Sequence, residues 1–204
     1  PMGGTVLAEV AIFSGVGLVM SKYPSLVIAS HQAAMNFSNL MYAFPLSISS
    51  AMAIIISYEF GARRMDAVKS YSKLGRLTAL GFSIFTLIFL YFLRYDLAEL
   101  YGHEPDFLRM TAVFMTYSLF FQVADVFAAP LQGILRGYKD TKVPFYLGVL
   151  AYWGITFPVG FLLEKVAGLG PYSYWIGLIV SLIVSGLCYQ WRLNKIVKRY
   201  ESQP

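Results

Sequence analysis

"FLRMTAVFMTYSLFFQVADVFAAPLQG", residues Phe107–Gly133, carries one acid, Asp125, in a run of aromatic, aliphatic and small residues. The run is longer than the ~20 mostly apolar residues a helix needs to cross a bilayer core. Read as a membrane span, it has five companions: about Gly3–Ser21, Gln32–Ser57, Leu74–Leu93, Pro144–Leu163 and Tyr172–Trp191. The composition agrees. The 204 residues are 57% hydrophobic and 13% charged, against ~25% charged in a soluble domain. The expected fold is therefore all-α and integral to the membrane, with six transmembrane helices. Glu9, the lack of a basic leader and the five later spans argue against a cleaved signal in the first segment. The longest polar stretches, Tyr58–Lys73 and Arg94–Asp106, leave no room for a separate soluble domain. Residues 62–76, "ARRMDAVKSYSKLGR", read as a short basic surface helix.

The 16 Lys and Arg residues are distributed unevenly. Arg63, Arg64, Lys69, Lys73 and Arg76 follow span two. Arg136, Lys139 and Lys142 follow span four, and Arg192, Lys195, Lys198 and Arg199 follow span six. The alternate side holds Lys22, Arg94, Arg109 and Lys165. Basic residues favour the cytoplasmic face, which predicts a multi-pass protein of the cell membrane with both termini in the cytoplasm. The net charge of +5 is then topological, not a nucleic-acid surface. Cys188 is the sole cysteine, so no internal disulfide forms.

Two acids lie inside spans, Glu9 and Asp125. An acid at a helix centre costs ~3 kcal/mol on insertion scales, and such groups face a bundle interior or a wet cavity. At ~1.5 Å per residue they fall roughly 9 and 13 Å from the inner ends of their spans, depths compatible with one shared cavity. Ser118, Phe121, Gln122, Ala129 and Gln132 share the helical face of Asp125. A second stripe in span two comprises Gln32, Asn36, Asn39, Ala43, Ser47 and Ser50. Small and amide residues on such stripes also serve as helix–helix glue, but an amide does that at lower cost than a carboxylate. A carboxylate pair in a cavity can take up and release H⁺ or hold Na⁺. Gln32, Asn36 and Gln122 are candidate cavity groups, and Phe121 and Tyr42 offer aromatic faces to organic cations.

Pro45, Pro130 and Pro158 interrupt spans, and Pro144 suits a helix start. Intramembrane metalloproteases need His-Glu-x-x-His. His31 has no such partner and falls at the outer boundary, where it reads as an interfacial hydrogen-bonding residue. Gly133, Gly137 and "RGYKDT" do not space as a phosphate loop and read as a tight turn. No enzyme signature and no cofactor site is present.

The segments "AEVAIF" (Ala8–Phe13), "ASHQAAMNFSNLMYAFPLSISSAMAIIISYEFGARR" (Ala29–Arg64) and "FFQVADVFAAPLQGILRGYKDTKVP" (Phe120–Pro144) resemble helices seven, eight and ten of a MATE (multidrug and toxic compound extrusion) transporter of the NorM type. "SYWIGLIVSL" (Ser173–Leu182) resembles the twelfth more loosely. The resemblance covers essentially residues 1–204 and implies the C-terminal lobe of a twelve-helix transporter. Such transporters exchange drugs and organic cations for H⁺ or Na⁺ by alternating access. It implies cation-coupling roles for Glu9 and Asp125, with possible Na⁺ at that pair and no other metal. Phe121 stands where many relatives have Tyr, which removes a hydroxyl and leaves the coupling ion open. An N-terminal six-helix lobe is the implied partner, and the abrupt start at Pro1 suggests a longer gene product, with a homodimer as the alternative. The rivals are a lipid-linked oligosaccharide flippase, which would need cationic residues in its spans, and a membrane scaffold, which would not need buried acids.

Overall fold

The computed structural model describes residues 2–203. Six helices follow one another: α1 (Met2–Met20), α2 (Ser25–Gly61), α3 (Met65–Glu99), α4 (Pro105–Gly137), α5 (Lys142–Leu162) and α6 (Tyr172–Glu201). A π-helical turn, Leu163–Ala167, extends α5. All six are long and apolar enough to span a membrane.

The helices are longer than the apolar runs that announce them. At 37 residues α2 would extend about 55 Å, well beyond a ~30 Å hydrocarbon core. Residues 62–76 do not form a separate surface helix. From Met65 onward they are the first turns of α3, whose far end reaches Glu99 inside the stretch expected to be a loop. Hydropathy marks where a helix can sit in lipid. Lys, Arg and Glu are good helix formers, so the backbone ladder continues into water.

Two turns of similar design join helices at the basic end. After α2 the Arg64 N–H donates to the Glu59 carbonyl, with Arg63 at φ 58°. After α4 the Asp140 N–H donates to the Leu135 carbonyl, with Lys139 at φ 63°. Both are left-handed C-caps that usually carry glycine. The expected tight turn is confined to Tyr138–Thr141; Gly133, Arg136 and Gly137 still belong to α4, because the helix runs past its apolar stretch. Ion pairs brace both: Arg64 Nε to Glu59 Oε2 at 2.7 Å and Arg192 Nε to Asp140 Oδ2 at 2.6 Å. Lys139→Gly removes the steric cost of that φ and should stabilise the fold by about 0.5–1 kcal/mol, net of the glycine entropy. A higher melting temperature in detergent is the expected result, and a lower one contradicts this account of the turn.

Helix α4 is the centre of the bundle, packed on α2, α3 and α6, while α5 joins α6 to α1. Its approach to α2 is close because Gly133 lies directly against the Ser49 backbone and Gly137 against Ile56. This is a small-xxx-small contact of the kind that draws membrane helices together by van der Waals packing. Two apolar clusters result. One gathers Ile12, Phe114, Leu119 and Trp175, and the other Ile56, Leu131, Ile134 and Tyr189. Pro45 and Pro130 are both buried inside their helices.

At the opposite end Glu164 ties the α1–α2 turn to α6. Lys22 Nζ is 2.6 Å from its Oε1, the Tyr174 hydroxyl donates to Oε2 at 2.5 Å, and the Tyr23 hydroxyl also donates to it. Burial, and then the Glu164 bond, raise the Tyr23 hydroxyl above its ordinary pKa, so it stays a donor. His31 makes its hydrogen bond inside the bundle, not at an exposed surface. It is 1% exposed, and the Trp175 indole donates to its Nδ1 at 3.0 Å. The correction has a simple cause: α2 begins at Ser25, before its apolar run, so His31 lies two turns inside a helix facing α6.

Candidate functional site

Glu9 is where helices from across the chain converge. Its Oε2 accepts from the Tyr42 hydroxyl of α2 at 3.1 Å. Its Oε1 accepts from the Tyr152 hydroxyl of α5 at 3.0 Å and from Gln132 Nε2 of α4 at 3.2 Å. Gln132 Nε2 also donates to the Tyr189 hydroxyl of α6 at 3.0 Å. A half-buried carboxylate is thereby held by neutral donors, with no ion pair among the described residues. That arrangement keeps its charge available to a cation.

Asp125 lies on α4 one turn before Pro130 and is 7% exposed. No described residue donates a hydrogen bond to its carboxyl. Both acids line one small cavity of about 20 Å³, with Tyr42, Tyr152, Phe121 and Ser181 among its walls. About one probe sphere of space is what a single water needs, so the cavity suits one water or a small ion. Its apolar walls, Ile12, Phe121, Leu178 and Leu182, belong to the first apolar cluster.

Glu9 and Tyr42 also line a second cavity, of about 50 Å³. It passes Gln132 and Arg136 and reaches Asp140 and Thr141 at the basic end. Arg136 Nη2 donates to Ser49 Oγ at 2.5 Å. Glu9 therefore stands between the small cavity at Asp125 and a second cavity that reaches the basic end of the bundle.

The expected shared cavity for Glu9 and Asp125 is present, and it includes Tyr42 and Phe121. Phe121 is 6% exposed and meets the Phe13 ring edge-on at 5.6 Å between centroids. In this conformation its face is not open to an organic molecule. Gln122, Gln32 and Asn36 are not brought to the acids. Gln122 is half-buried, with Nε2 unpartnered among the described residues. Gln32 and Asn36 are exposed, as are Asn39, Ala43, Ser47 and Ser50. The whole α2 stripe turns away from the acid cavity, and Asn36 Oδ1 accepts from Tyr101 at 2.9 Å. Ser118 bonds Ser38 at 2.5 Å, a helix–helix clasp.

Sequence reading missed Tyr152, Tyr189 and Arg136. A tyrosine in an apolar run looks like an interfacial anchor, and no periodicity links α5 to an acid on α1. Beside Phe121, Tyr42 and Tyr152 line the cavity and donate their hydroxyls to Glu9.

A family model described as MatE matches residues 1–162. Among curated proteins, a probable multidrug resistance protein NorM of Streptococcus pneumoniae (strain ATCC BAA-255 / R6) is 66% identical over 99% of this chain. A protein of the same description from Bacillus subtilis (strain 168) is 44% identical over 100% of it. The chain spans 45% of the length of each. Among solved structures, the eukaryotic MATE transporter AtDTX14 superposes with a TM-score of 0.86 at 18% identity, over 93% of this chain and 43% of that one. An inward-facing MATE transporter of the MOP superfamily gives 0.73 at 13% identity, over 88% and 44%. At these identities the superpositions speak for the fold.

Proposed function

This chain belongs to the MatE family, and from that premise we propose that it is the C-terminal lobe of a secondary multidrug exporter. It is a multi-pass membrane protein of a transporter family, not an enzyme. In this reading drugs or organic cations leave in exchange for inward H⁺ or Na⁺. Glu9 and Asp125 bind the coupling ion.

The observation that carries the reading is the small cavity of about 20 Å³ lined by two carboxyls, one of them without a protein donor among the described residues. A buried carboxylate without a donor is costly and is relieved by a proton or a small cation. Asp125 therefore accepts the ion, and Glu9 passes it along the Gln132–Arg136 passage. The exposed polar stripe of α2, with Gln32 and Asn36, faces the substrate cleft and the N-terminal lobe. That face explains why polar side chains stand on the outside of a membrane helix. The excess of Lys and Arg at that end supports a cytoplasmic side for the second cavity and both termini.

The test is efflux of a fluorescent organic cation from vesicles holding this lobe joined to an N-terminal lobe. An inward H⁺ gradient and an inward Na⁺ gradient are imposed separately. Efflux that follows one gradient assigns the ion. Efflux indifferent to both overturns the proposal.

A further inference from the structure

A far larger cavity than those at the acids lies elsewhere in the bundle. A groove of about 1010 Å³ runs between α3, α4 and α6, and among the described residues none of α1, α2 or α5 lines it. Its length is apolar, with Leu77 and Leu80 on α3, Phe120 and Phe127 on α4, and Ile179 and Ile183 on α6. Leu77, Leu80, Phe120 and Ile183 are exposed along it. Its basic end is different. Lys69, Lys73, Arg76 and Lys198 line it there, against the single acid Glu201. Two links bridge α3 and α6 at that end: Lys69 to Glu201, and Arg76 Nη2 to Gln190 Oε1 at 2.7 Å. Lys73 and Lys198 have no ion-pair partner among the described residues.

We propose that this groove is a binding site for an anionic phospholipid. The phosphate would sit among Lys73, Arg76 and Lys198, and an acyl chain would lie along Leu80, Phe120 and Phe127. An apolar channel at span depth that opens onto unpaired cations is complementary to one amphiphile with a negative head and an apolar tail. Basic pockets between membrane helices bind anionic lipid headgroups on the same physical grounds. A choline headgroup would bring a further positive charge to an already cationic mouth. Glu201 is held by Lys69, so the mouth keeps its positive excess. The groove is also distinct from the polar α2 face, so a lipid there leaves that face free.

The experiment is native mass spectrometry of the protein purified from membranes and exchanged into phosphatidylglycerol or phosphatidylcholine. The wild type should retain phosphatidylglycerol preferentially. K73Q/K198Q should lower that preference on the order of tenfold and leave phosphatidylcholine retention unchanged. Both positions are exposed, so the fold is not at risk, and an unchanged elution profile checks this. L80W tests the tail independently, since a filled channel should weaken retention of both lipids. Equal retention of the two lipids by the wild type overturns the proposal, because the groove would then select only an apolar chain. Unaltered preference in K73Q/K198Q overturns it as well. So does displacement by millimolar inorganic phosphate, which would make the mouth an anion site without a tail.

Discussion

Replacing Glu9 by Gln should leave the protein folded and reduce ion-driven efflux by at least about tenfold. The geometry explains both halves of that expectation. The amide oxygen can occupy the place of Oε1 and accept from Tyr152 and Gln132. The amide nitrogen then faces the Tyr42 hydroxyl, which can turn from donor to acceptor. Shape and hydrogen bonds survive, and the charge is lost. A hydrogen bond or ion contact to a charged group contributes about 1.5–3 kcal/mol, which is about tenfold or more in ion affinity. Asp125→Asn should do the same by removing the other carboxylate. The measurement is gradient-driven efflux in vesicles for the parent and the two variants, beside a melting curve for each. Wild-type efflux in both variants would sink the assignment of the coupling site.

The largest effect on folding is expected at Gly133. A Cβ there would collide with the Ser49 carbonyl, which is backbone and cannot rotate away. Overpacking a core costs about 1–3 kcal/mol and more where the neighbour cannot yield. Gly133→Leu must force α4 from α2, which is the most extensive helix pair in the bundle. Loss of monodisperse protein in detergent is the expected result. Gly154→Leu is the comparison, because a Cβ at Gly154 meets nothing within 4 Å. If both variants elute and melt alike, the close α2–α4 contact is not what holds the lobe together.

The two predictions draw on residues of very different legibility. Asp125 stood out in the sequence because a carboxylate in an apolar run is expensive wherever the helix points. Gly133 did not, because a glycine near a helix end reads equally as a turn, a cap or a packing site. The burial of His31 is hidden for a related reason: apolar residues mark the span from Gln32, while α2 begins earlier through Ser25 and Leu26. Residues 62–76 read as a surface helix because their charges mask the backbone ladder that runs from Met65 on into the apolar part of α3. Tyr152 was invisible because its role depends on Glu9, which lies 143 positions away in the chain.

Hydropathy and charge alone determined the class of this protein, its six spans, the uneven charge on its two sides and the presence of two acids at membrane depth. Those are properties of each segment by itself, set by what lipid and water tolerate. The tertiary structure decided which face each helix turns inward. With Gly133 of α4 against the Ser49 backbone of α2, Asp125 shares a cavity with Glu9 of α1. Residues from α2, α4 and α5 then become the hydrogen-bond shell of Glu9. Contacts of this kind arise from the close packing of distant segments, and no local pattern in the chain carries that information.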